Sequence, residues 1–174
     1  MIRDDWRRIA GLHCDESGDM AAVWLAQDRD SDVLHLYDCA KFRGEQLAVI
    51  AEGLNARGRG VGISWEASAQ EVADKLLDRG CNLLKEPVKD TPMLADMTSR
   101  EILGRMRTGR FKVDKRLAEW LDEFKTFFRE EAQVPLVGHP LMTATRHAVA
   151  RLEYAAAITS LSAHKIAYPK VPIV

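Results

Sequence analysis

The chain has 174 residues, 25 of them Lys or Arg against 26 Asp or Glu, for a formal net charge of -1. That length suits one domain with a sizeable core, and so balanced a charge excludes a broad cationic field as the basis of nucleic-acid contact, leaving only a local basic patch. No apolar run reaches the roughly eighteen residues of a membrane-spanning helix, and the opening residues lack the apolar segment of a signal peptide, so a soluble, cytoplasmic protein is expected. Cys14, Cys39 and Cys81 show no C-x-x-C spacing and read as reduced structural thiols. No G-x-x-x-x-G-K-[ST] loop is present, so no nucleotide cofactor is expected.

In chain order, residues 9–14 form a short apolar run, a polar turn follows at Asp15-Glu16-Ser17-Gly18-Asp19, and residues 20–27 form a second apolar run. This predicts a hairpin. The cluster Asp28-Arg29-Asp30-Ser31-Asp32 reads as a solvated turn, because it lacks the glycine and distant glutamate of an EF-hand loop. It precedes a third strand over 33–37, where His35 reads as a hydrogen-bonded strand histidine.

Leu47, Ile50, Ala51 and Leu54 have helical spacing over 44–57, and residues 61–65 then form a fourth strand. Ser68 with Glu71 three residues on has the form of a capping box for a helix ending at Arg79-Gly80, and residues 81–84 return as a strand. Residues 87–97 read as a loop, Thr98 opens a helix that stops near Gly109, and residues 111–113 form a short strand. Leu117, Trp120, Leu121, Phe124, Phe127 and Phe128 recur every three or four residues, which predicts an amphipathic helix over 115–131 whose aromatic stripe is core. Pro140 suits a first helical turn, so the last long helix is expected over 141–158, followed by a loose or docking tail over 160–174. Three antiparallel strands with later β-α units imply an α/β domain, residues 1–159, built on a mixed sheet with helices on its faces.

Several of these segments resemble the C-terminal nuclease domain of tailed-phage large terminase subunits. Gly11-Leu12-His13 is followed by Gly18-Asp19-Met20-Ala21-Ala22-Val23-Trp24-Leu25-Ala26 and then by the Asp-rich turn, which is similar to that family's opening hairpin. Arg105-Met106-Arg107-Thr108-Gly109-Arg110-Phe111-Lys112-Val113 is similar to its Thr-Gly-Arg turn and Lys-Val strand. Glu119-Trp120-Leu121-Asp122-Glu123-Phe124 resembles its next helix, and Leu141-Met142-Thr143-Ala144-Thr145-Arg146-His147-Ala148 its last. The resemblance covers roughly residues 8–155. It implies a ribonuclease H-like fold, with three antiparallel strands followed by parallel additions, and a role in cutting concatemeric phage DNA during genome packaging. It further implies double-stranded DNA, a terminase ATPase domain, a small terminase subunit and the portal as partners, with no membrane.

Such nucleases use two divalent cations, Mg²⁺ or Mn²⁺, held by carboxylates on the first strand, after the fourth strand and at the head of the last helix. Here those positions read His13, Glu66 in Trp65-Glu66-Ala67-Ser68, and His139-Pro140, with Thr143 one turn further. Asp15, two residues after His13, is a further carboxylate on the strand face of His13. The expected catalytic set is therefore His13, Asp15, Glu66 and His139, with Asp15, Glu66 and His139 as metal ligands. The alternative is a degenerate centre on a domain that binds DNA or docks the portal. Arg105, Arg107, Arg110 and Lys112 are the candidate DNA contacts, within a basic run that also holds Arg100, Lys115 and Arg116. Arg146 and His147 read as solvated or capping side chains of the last helix.

Overall fold

The structure, a computed structural model, describes residues 2–127 and 138–158. The tail expected over 160–174 and the end of the helix expected over 115–131 lie outside them. Strands β1 (Arg7–Cys14), β2 (Met20–Gln27) and β3 (Leu34–Phe42) form the antiparallel meander. Every residue of β2 from Ala21 to Ala26 is fully buried, because helices cover both faces of the sheet at this central strand. β4 (Gly62–Ser64) joins β1 in parallel and β5 (Phe111–Val113) joins β3 in parallel, giving the order β4-β1-β2-β3-β5. The mixed sheet expected from the sequence is present.

Strand alternation divides the core. Ile9, Ala21, Val23 and Leu25 face one side, where Ile102 of α3 (Pro92–Arg107), Trp120 of α4 (Ala118–Phe127) and Leu141, Ala144 and Ala148 of α5 (Pro140–Ala150) pack on them. Ala10, Leu12, Ala22 and Trp24 face the other side, against Ile50 and Leu54 of α1 (Leu47–Ala56) and Ala73 and Leu76 of α2 (Gln70–Leu77). His13 therefore shares the α5 side of β1 with Ile9 and Gly11.

Several elements differ from the sequence reading, and β3 is one of them, running on to Phe42 instead of ending at residue 37. Helix α3 starts at Pro92, inside the expected loop, with the Thr91 hydroxyl accepting the Leu94 N–H at 3.2 Å; a proline at N1 begins this helix, since its fixed φ suits the first turn. Ser68 caps nothing and sits in a 3-10 turn (Ala67–Ala69) that leads into α2. Residues 81–84 make only a parallel bridge, Ile63 to Leu83. Helix α5 stops at Ala150, where the chain turns back so that β6 (Ala156–Ala157) pairs antiparallel with Arg7 and Arg8. The Arg7 guanidinium holds this return by donating to the Ala155 and Glu153 carbonyls at 2.7 and 3.0 Å.

No helix among the described residues is long and apolar enough to cross a membrane.

Candidate functional site

The parallel register of β1 and β4, with Gly11 opposite Ser64, carries the C-terminal ends of both strands to the same edge of the sheet. There His13 Nδ1 stands 2.8 Å from Glu66 Oε1, with side chains 15% and 10% exposed. The same carboxylate oxygen accepts the Cys14 N–H at 2.9 Å. Burial alone would raise the Glu66 carboxyl, but the His13 contact, the Cys14 amide and the nearby His147 outweigh it and hold it below the ordinary value. Cys14 moves the other way: burial, then Glu66, Asp15 and Asp19, push its thiol up to about 11, so it stays protonated and inert.

His13 and Glu66 line a cleft of about 830 Å³ together with Asp15, Ser68, Glu71 and, from the head of α5, Gly138 and Pro140. Three chain segments far apart in sequence thus meet at one opening. Asp15 lies beyond the end of β1, in the turn, so the strand alternation that would place it beside His13 has already ended. Its Oδ1 accepts from Ser17 N, Ser17 Oγ and Asp19 N, and the Ser17 hydroxyl is the main cause of its lowered carboxyl. His139 occupies the N-cap of α5, but its ring is buried edge-on against Phe127 at 5.4 Å and is not among the residues lining the cleft.

The head of α5 is served by a carboxylate from another element. Glu123 of α4 accepts the Leu141 and Met142 N–H groups at 2.8 and 3.3 Å, where the helix dipole favours negative charge, and pairs with Lys41 of β3 at 2.5 Å. Glu123→Ala is expected to cost about 2 kcal/mol by removing a cap and leaving Lys41 unpaired, read as a lower urea midpoint. A midpoint equal to that of the unsubstituted chain would show that water replaces the cap at no cost.

Beneath the cleft lies a second polar group. Arg146 and His147, expected in solvent, are 2% and 1% exposed, because the last helix lies against the sheet and not on its rim. Asp90 receives Arg146 NH1 and NH2 at 2.9 and 3.2 Å, and His147 Nε2 stands 3.3 Å from it. His147 Nδ1 lies 2.9 Å from the Leu12 carbonyl, which only accepts, so this nitrogen carries a proton. Ser64 donates to the His147 carbonyl at 2.7 Å, tying β4 to the same turn. Neither Asp90 nor Glu123 stands out in the sequence. Both act through partners that are distant in the chain, and no local spacing marks them.

The residues present do not fit a pair of hard cations. Such ions take oxygen ligands, about six each, yet one position holds an imidazole and the others a carboxylate oxygen already engaged by His13 and Cys14, the Asp15 oxygen closing its own turn, and the Thr143 hydroxyl, 2% exposed and accepting from Arg146. Among the described residues no group of three or more His, Cys, Asp or Glu is placed to hold a metal ion.

The basic run is divided by the fold. Arg105 is 8% exposed and turned inward, with Nε on Glu101 at 2.6 Å and NH1 on Asp32 at 3.1 Å. Arg110 also reaches Asp32, at 3.4 Å, while Arg100 and Arg116 pair with Asp96 and Asp114. Arg107 and Lys112 are exposed. The turn before β3 is therefore anchored through Asp32. His35 lies against Trp6, ring centroids 4.6 Å apart.

No protein-family model and no curated protein matches the sequence. Among solved structures, the nuclease domain of the P22 large terminase matches with a TM-score of 0.80 at 17% identity, over 90% of this chain and 87% of that one. The nuclease domain of the large terminase g2p from bacteriophage SPP1, solved with bound Mn, matches with a TM-score of 0.63 at 18% identity, over 84% and 86%. The large terminase of a thermophilic bacteriophage, solved in complex with ADP, matches with a TM-score of 0.67 at 11% identity, over 89% of this chain but 42% of that longer one. With its mixed sheet, flanking helices and cleft at the strand ends, the chain has the ribonuclease H-like fold of the large-terminase nuclease domains.

Proposed function

We propose that this chain is the nuclease-type domain of a phage DNA-packaging terminase, and that it acts on double-stranded DNA in the cytoplasm of a bacterial host. The observation that carries this reading is the convergence of the ends of β1 and β4 with the head of α5 on a single cleft, in a fold that follows the P22 nuclease domain over 90% of the chain. A terminase ATPase domain, a small terminase subunit and the portal are the partners this assignment brings with it. The longer terminase of the thermophilic phage, solved with ADP, supports the first of them. Arg107, Arg110 and Lys112 are the proposed phosphate contacts; Arg105, buried on Asp32 and Glu101, supports that surface from below.

A charge-reversal series tests this reading. Replacing Arg107 and Arg110 by Glu is expected to weaken duplex binding about tenfold, and to lower the slope of log affinity against log salt by roughly one for each phosphate no longer neutralised. Affinity and slope both matching the unsubstituted chain in fluorescence anisotropy would remove this face from the DNA interface.

A further inference from the structure

We infer that the cleft is built to stand without a divalent cation, His13 bridging to Glu66 across chain segments that an ion would otherwise link. This rests on the reading of the cleft given above and names the chemistry of that same site.

The argument starts at the 2.8 Å contact between His13 Nδ1 and Glu66 Oε1. Two lone pairs at that separation repel, so the contact is attractive only when Nδ1 carries a proton, which leaves Nε2 as the one ring nitrogen with a lone pair, a donor that hard, oxygen-seeking cations such as Mg²⁺ and Mn²⁺ take poorly. Glu66 Oε1 also accepts the Cys14 N–H at 2.9 Å. Glu66 Oε1 is thereby occupied by partners from within the chain. A second carboxylate in place of His13 would face Glu66 with like charge, and folding would then call for a cation between them.

Two further carboxylates are engaged in the same way. Asp15 Oδ1 takes three donors from its own turn. The carboxylate at the head of α5 is Glu123, and its charge is met by the Leu141 and Met142 amides and by Lys41. Glu66, Asp15 and Glu123 are thus each met by donors of the protein itself. Coordination by Glu66 and Asp15 through one oxygen each would leave most of a roughly octahedral shell to water.

The test uses the full chain and Mn²⁺ alone as the probe. Addition of protein is expected to leave the free Mn²⁺ electron paramagnetic resonance signal unchanged, and the melting temperature is expected to be the same in EDTA and in millimolar Mn²⁺. His13→Asp is expected to melt roughly 5 °C lower in EDTA, to recover that difference in Mn²⁺, and to deplete the free-ion signal. Stoichiometric uptake of Mn²⁺ by the unsubstituted chain overturns the inference, whether or not the variant folds. A folded His13→Asp that takes up no Mn²⁺ overturns the role given to His13. Duplex binding measured in EDTA separates the two readings: Mn²⁺ uptake with DNA bound removes the inference alone, whereas no Mn²⁺ uptake and no DNA binding removes the DNA-handling function alone.

Discussion

Replacing Gly11 by alanine is expected to destabilise the chain by at least about 3 kcal/mol, seen as a fall in melting temperature of roughly 10 °C or as failure to accumulate folded protein. A Cβ built at this position lies 1.9 Å from the Ala144 carbonyl oxygen and 2.8 Å from the Ala148 nitrogen, both backbone atoms of α5. Overpacking is usually relieved by a rotamer change, but neither atom belongs to a side chain, so the whole helix has to move. That movement would pull against the Ser64 and Leu12 contacts to His147 and against the Glu123 cap. Gly11 thus has a definite function in the opening Gly11-Leu12-His13 segment: it lets α5 lie directly on β1, which brings the head of that helix to the cleft. A Gly11→Ala chain with an unchanged urea midpoint would mean that α5 does not approach β1 so closely.

Asp90→Ala carries the other large effect, about 4 kcal/mol of lost stability, because removing one member of a buried ion pair leaves the other desolvated and unpaired. Arg146, 2% exposed, would keep its charge without the carboxylate that accepts two of its N–H groups. Asp90→Asn, which preserves shape and loses the charge, is expected to recover only part of the loss. The same group gives the chain an acid limb. Burial by itself would raise the Asp90 carboxyl, but the His147 ring and the Arg146 guanidinium outweigh it and bring it down to about 2. A carboxyl lowered on folding contributes stability that is fully present above its unfolded value, near 4, and is lost as pH falls toward 2. The contribution is roughly 2 kcal/mol. Urea midpoints measured from pH 6 to pH 2 should therefore converge for the unsubstituted chain and Asp90→Asn at the acid end. Parallel curves would show that Asp90 titrates alike in both states.

Element order is legible because apolar spacing is a local property. The apolar runs at 9–14 and 20–27, bounded by polar turns, and the aromatic stripe from Leu117 to Phe127 each announce their type without reference to the rest of the chain. Boundaries are less so where the deciding partner is distant or takes a cap to reveal. Pro92 by itself signals a break, and only the Thr91 cap makes it the first residue of α3. Helix α5 ends sooner than its spacing predicts because Arg7, at the other end of the chain, turns residues 155–157 back onto the sheet. The site divides along the same line. His13 and Glu66 stand out as residue types at family positions, whereas Asp90, Glu123 and Lys41 carry no such mark, and Arg146 and His147 have the sequence context of solvent-facing residues.

Apolar spacing pointed to an α/β domain with a sheet covered on both sides, and the resemblance to large-terminase nuclease domains implied that its centre departs from their carboxylate pattern. Folding decided what that departure does: it set His13 against Glu66, moved Glu123 to the head of α5 and buried Arg146 and His147 on Asp90. Helix and strand type follow from side chains three, four or two residues apart. A charge is neutralised by whichever group lies within a few ångströms, and those neighbours are brought together only when the sheet closes.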